Sequence, residues 1–385
     1  MDNKKSTEHS YSLRDLILYF LKLGATGFGG PVALVGYMHR DLVEKRKWVT
    51  EEDYKEGLAL AQLAPGPLAA QLAIYLGYVH YKIIGATLAG IAFVIPSFLM
   101  VLVLGFMYVH FGGIPWMQAV FYGIGSAVIG IITIGSYRLI KRNLGKDWLL
   151  WAIFLLLAIT TFILEKESIW LILLGGLVYW IYKTKPRVSA ANSFFLFPFL
   201  LQATISMGGD SILKQIAWFF FKAGAFVFGS GLAIVPFLYG GVVKEYHWLN
   251  EQQFLDAVAV AMITPGPVVI TVGFIGYLVA GVPGACVAAL ATFLPCWLFT
   301  ILPAPYFKKY GTHPSIKAVV DGITAAAIGA IAGAVVVLAK RQFTDLISVG
   351  IALTSVLVLL RFKKIQEPFI ILVAALLGLL IKNWL

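Results

Sequence analysis

Charge is what this chain has least of. Only 13% of its 385 residues are charged, against about 25% in a soluble domain. Acidic residues are the scarcer kind, 19 Asp and Glu against 30 Lys and Arg. Cysteine is limited to Cys286 and Cys296. Both lie in apolar sequence, which excludes a disulfide framework and reads as two buried membrane thiols. The six histidines, among them His39, His80, His110, His247 and His313, are scattered near segment ends. No HExxH, P-loop or GxSxG sequence is present, so zinc protease, NTPase and serine hydrolase chemistry are set aside. The chain is read as a non-enzyme without a cofactor or metal. With no ATPase domain, any uphill transport must draw on an ion gradient or on coupling proteins. No basic helix or aromatic-basic platform stands outside the apolar segments, so no nucleic-acid partner is expected. Met1 to Ser10 is polar and the first apolar segment has no small-residue cleavage site, so no cleavable signal peptide is expected.

What the chain has instead is hydrocarbon. It is 60% hydrophobic, and apolar runs of about 20 residues, enough to cross a core of about 30 Å, recur throughout. The expected architecture is an all-α polytopic protein in a lipid bilayer. A polar tail (1–11) precedes a first transmembrane repeat (12–183), a linker (184–210) and a second repeat (211–385). Ser12 is expected to cap a first helix, and Thr50, followed by Glu51, Glu52 and Asp53, to cap another.

The most informative stretch is Pro65-Gly66-Pro67, deep in apolar sequence between Gln62 and Gln71. Neither proline can donate to the preceding turn, and glycine adds backbone freedom, so a helix cannot continue through. Broken helix at membrane depth survives only where protein or a water-filled cavity surrounds it. The break recurs as Thr264-Pro265-Gly266-Pro267, ahead of Thr271.

The recurrence belongs to a duplication. Shifted by 200, Lys22 falls on Lys222, Gly24 on Gly224, Phe28-Gly29 on Phe228-Gly229, Trp48 on Trp248 and Glu56 on Asp256. After a one-residue gap Gly77-Tyr78 falls on Gly276-Tyr277, Pro96 on Pro295, Gly123 on Gly322, and Lys141-Arg142 on Lys340-Arg341. Three equivalent connections swap their charge bias. Arg40, Lys45, Arg46 and Lys47 face only Lys244 in the second copy. The turn 110–115 has no Lys or Arg, whereas its counterpart holds Lys308 and Lys309; acidic 164–167 matches Arg361, Lys363 and Lys364. Such a swap predicts inverted repeats. Inversion requires an odd number of crossings per half, hence five helices plus one re-entrant Pro-Gly-Pro hairpin. Lys340-Arg341 dissents, and the alternative is parallel repeats of six crossings each, with each Pro-Gly-Pro unit a continuous broken helix.

Helix starts carry unpaired N–H groups and partial positive charge. The breaks and the glycine clusters 24–31 and 224–231 can therefore converge near the midplane on an oxyanion. The candidate substrate-binding residues are Lys22, Gly27, Phe28, Gly29, Gly30, Gln62, Pro65, Gly66, Pro67 and Gln71. Their second-half counterparts are Lys222, Gly229, Ser230, Gly231, Thr264, Pro265, Gly266, Pro267 and Thr271. Snorkelling lysines and interhelical hydrogen bonds are the plainer roles for the polar members. Glu56 and Asp256 are candidate proton carriers, with hydrated helix-end acids as the plainer reading. Arg40, Arg46 and Lys47 can line a vestibule or simply set topology. The small-residue face from Gly123 to Gly135 suits close packing within the chain or in a homodimer.

Gly27-Phe28-Gly29-Gly30-Pro31, Trp48 with its acidic follow-on, Gln62 to Pro67 and Gly77-Tyr78, with Phe228 to Gly231 and Thr264 to Pro267 in the second half, resemble the chromate ion transporter family in its long, duplicated form. The resemblance covers nearly the whole chain in order and spacing. It implies a cytoplasmic-membrane protein that exports chromate, coupled to the proton gradient, with sulfate as a related or competing anion. Sulfate as the physiological substrate, or a passive anion channel, are the rival functions. Ser230-Gly231 in place of Gly30-Pro31, and Thr264 in place of Ala64, imply that the two halves contribute unequally.

Overall fold

The computed structural model describes residues 11–28, 30–111, 115–164, 169–184, 211–226, 228–229, 234–307, 313–343, 345–362, 365 and 367–384. Helix α1 (Leu13–Thr26) opens with the expected cap. The Ser12 hydroxyl accepts from the Asp15 amide, and the Asp15 carboxylate accepts from the Ser12 amide. Tyr11, the last residue of the tail, is buried and stacks on Trp48 with ring centroids 4.8 Å apart. After the glycine cluster, α2 (Gly30–Met38) runs on as a π-helical turn, His39–Lys45. Sequence reading took that turn for an irregular charged connection. Its twin, Tyr239–Glu245, follows α9 (Ile234–Leu238). Both turns close the same way: Trp48 N–H donates to Leu42 O and Trp248 N–H to Val242 O. The repeats thus share backbone geometry where their charges differ most.

Helix α3 (Glu51–Leu63) starts at Thr50, whose hydroxyl accepts from Asp53 N–H. It stops at the Pro-Gly-Pro break, and the chain returns in α4 (Leu68–Phe111). A Cβ placed on Gly57 would lie 2.3 Å from the Tyr75 ring, so α3 and the first arm of α4 lie side by side and antiparallel. Helix α4 then reverses again at Lys82 (φ 51°, ψ −141°), where Gly77 and Gly85 meet backbone to backbone. The second half repeats every step. Helix α8 (Ile212–Phe226) precedes its glycine cluster, and α10 (Glu251–Ile263) leads into the second break. Helix α11 (Thr271–Ile301) reverses at Ala280–Gly281, where Gly276 meets Gly284.

The remaining helices are α5 (Pro115–Asn143), α6 (Trp148–Leu164), α7 (Ile169–Thr184), α12 (Pro314–Gln342), α13 (Leu346–Arg361) and α14 (Glu367–Trp384). They pack mainly on the other repeat and only lightly within their own. The first half's α6 and α7 pack on α12 of the second, and α13 and α14 pack on α5 of the first. Small residues permit the approach. Gly123 abuts Ala374 O, Gly130 abuts Ala352 O, Gly322 abuts Gly175 O and Gly329 abuts Phe154 O. The glycine face of α5 is therefore used inside the chain. The equivalent helices α5 and α12 also touch. Gly125, early in α5, lies beside Gln342 at the end of α12. Leu144, just past α5, shares a core cluster with Ala318 and Ala325, early in α12. The two run in opposite directions.

Among the described residues, four helical stretches are long and apolar enough to cross a bilayer: Leu68–Phe111, Gln118–Asn143, Val268–Tyr306 and Pro314–Lys340. Four shorter apolar helices accompany them, Trp148–Leu164, Trp170–Thr184, Leu346–Arg361 and Glu367–Ile381. The protein is an all-α, multi-pass membrane protein built from two repeats.

Candidate functional site

Within Pro-Gly-Pro the glycine amide is the only backbone donor, because proline has none. Both glycines take positive φ, 142° at Gly66 and 96° at Gly266, a region that side chains disfavour. Each break then meets the other half's glycine cluster. Gly266 N–H donates to Gly27 O at 2.9 Å. Reciprocally, Gly66–Pro67 forms a short parallel ladder with Phe228–Gly229, Gly66 opposite Phe228. A contact in which each half offers the same two parts to the other is that of a local two-fold arrangement. The two breaks and parts of both glycine clusters do come together.

The polar side chains beside the breaks are engaged with backbone. Gln71 is fully buried and donates Nε2–H to Pro65 O at 2.8 Å, while its Oε1 has no partner among the described residues. The Thr264 hydroxyl donates to Val260 O at 2.7 Å, and the Thr271 hydroxyl to Val268 O at 2.8 Å. All three bonds are local, to carbonyls three to six residues earlier in the chain, rather than the interhelical bonds that the plainer reading of these residues expects. Gln62 is exposed. Asp256 is buried, accepting from Tyr108 Oη at 2.7 Å and Gln252 Nε2 at 2.8 Å, so a hydrated helix-end acid does not describe it. Glu56 accepts from the Tyr75 hydroxyl, on the same hairpin. Gly29, Ser230 and Gly231 lie outside the described residues, as do the side chains of Phe228 and Gly229.

Two cavities flank the junction between α1 and α2 and share Gly27 and Phe28. The first, about 540 Å³, is lined by Lys22, Thr26, Tyr19, Tyr37, Arg40, Asp41, Lys45 and Arg46. Four basic side chains there face one carboxylate. Asp41 takes a hydrogen bond from Arg40 at 2.9 Å and lies 3.9 Å from Lys45. Arg46 sits over the rings of Trp48 (4.4 Å) and Tyr19 (5.5 Å), which fixes its charge in place. At the start of α3, His39 and Lys55 hydrogen-bond Glu51 and hold its carboxyl below the usual range. Lys222, the twin of Lys22, lies 5.6 Å over the Trp218 ring.

The second cavity, about 190 Å³, is lined by Gly27, Phe28, Gly30, Thr264, Gly266, Arg138, Arg142 and Glu367, among others. It gathers the start of α2, the second break, the end of α5 and the start of α14. Gly27 O is already capped by Gly266 N–H. The space is also faced by the donor-rich start of α2, two guanidiniums and the Glu367 carboxylate. Sequence reading missed Arg138 and Arg142 as site residues. The available signal was two arginines one helical turn apart at the end of an apolar helix; Lys141-Arg142 had been weighed only as a topology marker.

A two-repeat bundle of apolar helices with paired interruptions beside a basic cavity is the architecture of a membrane transporter. The family model for the chromate transporter matches twice, at residues 14–180 and 214–379. The chain belongs to the chromate transporter family. It is 66% identical to the chromate transport protein of Cupriavidus metallidurans, over 97% of this chain and 94% of that one. It is 59% identical to the probable chromate transport protein of Synechococcus elongatus, over 96% of each. An uncharacterized transporter of Bacillus subtilis, YwrA, is 30% identical over 95% of its own length but only 43% of this chain, the length of a single repeat. No solved structure matches.

Proposed function

We propose that the protein is a secondary transporter that exports chromate across the cytoplasmic membrane. In this reading the two repeats are inverted in the bilayer, and each Pro-Gly-Pro unit is a re-entrant hairpin. The observation that carries it is the reciprocal closure of each break on the other half's glycine cluster, beside a basic cavity. Chromate and sulfate are both tetrahedral dianions. The donor-rich start of α2 at Gly30 and the charge of Lys22 suit such an ion. The antiparallel course of α5 and α12 and the side-by-side arms around Pro65–Pro67 and Pro265–Pro267 support the inverted arrangement. Buried Asp256, held by Tyr108 and Gln252, is the proton carrier best suited to couple transport to the proton gradient.

The test is uptake of radiolabelled chromate into everted membrane vesicles under an imposed pH gradient. Accumulation above the external concentration, abolished by a protonophore, is expected. Equilibration only, insensitive to protonophore, would indicate a passive channel. Sulfate that suppresses chromate uptake at a much lower concentration than chromate itself requires would make sulfate the working substrate.

A further inference from the structure

The side chains of the second cavity go beyond the breaks and glycine clusters. Arg138 Nη1 lies 3.8 Å from Glu367 Oε1, and its Nη2 donates to Leu359 O at a long 3.4 Å. Neither is a close contact, so among the described residues most of the five donors of this guanidinium lack short bonds to carboxylate or carbonyl. The Arg138 side chain is 53% exposed while lining the cavity. Arg142, one turn further on, lines the same space. Opposite them stand Thr264, Gly266 and the start of α2 at Gly30, where no atom lies within 4 Å of a Cβ position on Gly30.

Duplication provides an internal control. The equivalent of Arg138 in the second repeat is Val337, and Arg40, Lys45 and Arg46 become Gly240, Glu245 and Tyr246. Arg142 keeps its charge as Arg341, so the duplication isolates Arg138, Arg40, Lys45 and Arg46 as charges that one copy has and the other lacks. A topology signal explains loop arginines. It does not explain an arginine within α5, on a cavity wall, opposed by a carboxylate.

We propose that Arg138 and Arg142 form the dianion's docking chamber, reached from the Lys22–Arg46 cavity past Gly27 and Phe28, with Glu367 as a resident counter-ion that the substrate displaces from Arg138. This rests on the reading of the protein as an oxyanion transporter. The geometry of two forked donors one turn apart suits a tetrahedral oxyanion, which takes paired N–H bonds on two edges. Glu367 holds the empty chamber neutral enough to exist beside apolar helix and competes with the ion for Arg138. Arg138 is thus a binding residue and Glu367 a positioning residue.

The experiment is chromate uptake in everted vesicles for the wild type, Arg138→Gln, Arg138→Lys, Arg142→Gln, Glu367→Gln and the Arg138→Gln/Glu367→Gln pair, with each protein quantified in the membrane. Arg138→Gln is expected to raise KM at least tenfold with the maximal rate within threefold, and Arg138→Lys to restore part of it. Arg142→Gln raises KM in the same sense. Glu367→Gln lowers KM about threefold, because the competitor is gone, and in the double variant it gives no benefit. A structural staple between α5 and the α13–α14 connection predicts otherwise: Arg138→Gln and Glu367→Gln would both lose thermal stability and maximal rate, with KM unmoved. That result overturns the chamber. So does wild-type KM in Arg138→Gln or, should that variant not reach the membrane, in Arg142→Gln. If the wild type takes up neither chromate nor sulfate, the oxyanion-transporter reading itself fails, a separable outcome.

Discussion

Replacing Gly266 with alanine attacks a tight contact between the halves. The φ of 96° alone costs about 1–2 kcal/mol for a residue with a Cβ. That Cβ would stand 2.0 Å from Ser97 Oγ and 3.2 Å from Gly24 O. Ser97 is fully buried, with its hydroxyl directed at Gly24 O (3.3 Å), so it has little room to yield. Overpacking of this kind adds about 1–3 kcal/mol. The sum is about 2–5 kcal/mol, before any loss of the Gly266–Gly27 hydrogen bond. Gly30→Ala serves as the reference: φ is 71° but no atom lies within 4 Å of the new Cβ, so only the backbone part, about 1–2 kcal/mol, applies. The assay is the midpoint of thermal loss of the monodisperse peak in detergent, read beside vesicle transport. Gly266→Ala should fall well below Gly30→Ala. Adding Ser97→Ala should recover part of the difference, because the 2.0 Å contact disappears while the φ penalty stays. Equal midpoints for the two glycine variants, or no recovery in the double variant, would refute the reasoning.

Three further outcomes follow from the same geometry. Asp256→Asn should abolish the dependence of uptake on an imposed pH gradient while leaving the protein in the membrane; unaltered gradient dependence in vesicles would remove Asp256 from coupling. Neutralising Arg40, Lys45 and Arg46 together should slow initial uptake most at low ionic strength and little at high salt, because steering by exposed charge is screened; a salt-independent defect would point to damage at the site instead. At the α13 cap, Asp345 accepts from the Tyr122 hydroxyl and the Ser348 amide, which hold its carboxyl below the usual range. A depressed carboxylate contributes stability above its unfolded value and loses it as pH falls through the folded one. Asp345→Ala should thus cost about 1 kcal/mol at neutral pH, the ordinary worth of a helix cap, and less on acidification; a pH-independent cost would argue against the ionised cap.

How much of this could be read from residues alone depended on range. The caps at Ser12 and Thr50 are local, a side chain acting on an amide three residues on, and both are present as the sequence indicates. The interruptions at Gly66 and Gly266 follow from proline chemistry. The reversals at Lys82 and Gly281 fall at expected segment ends, although nothing in a lysine announces φ 51°. The π-helical turns at 39–45 and 239–245 were not legible, because one extra residue per turn leaves no compositional mark. Nor was the partner of each break: that Gly266 meets Gly27 and Gly66 meets Phe228 depends on contacts some 160–240 residues apart. Arg138 and Arg142 were hidden for the same reason. Their meaning comes from Thr264 and Glu367, which only the tertiary arrangement brings to them.

The exchange of helices between repeats has a consequence in time. When Thr184 has left the ribosome, α6 and α7 exist but the surface they pack against does not. Helix α12 begins at Pro314, 130 residues later (314 − 184). At about 5–20 residues per second, those two helices wait on the order of ten seconds among lipids before their seat is synthesised. The nascent first half must therefore remain open-jawed in the bilayer, neither closing on itself nor pairing with a neighbour, until the chain has nearly ended.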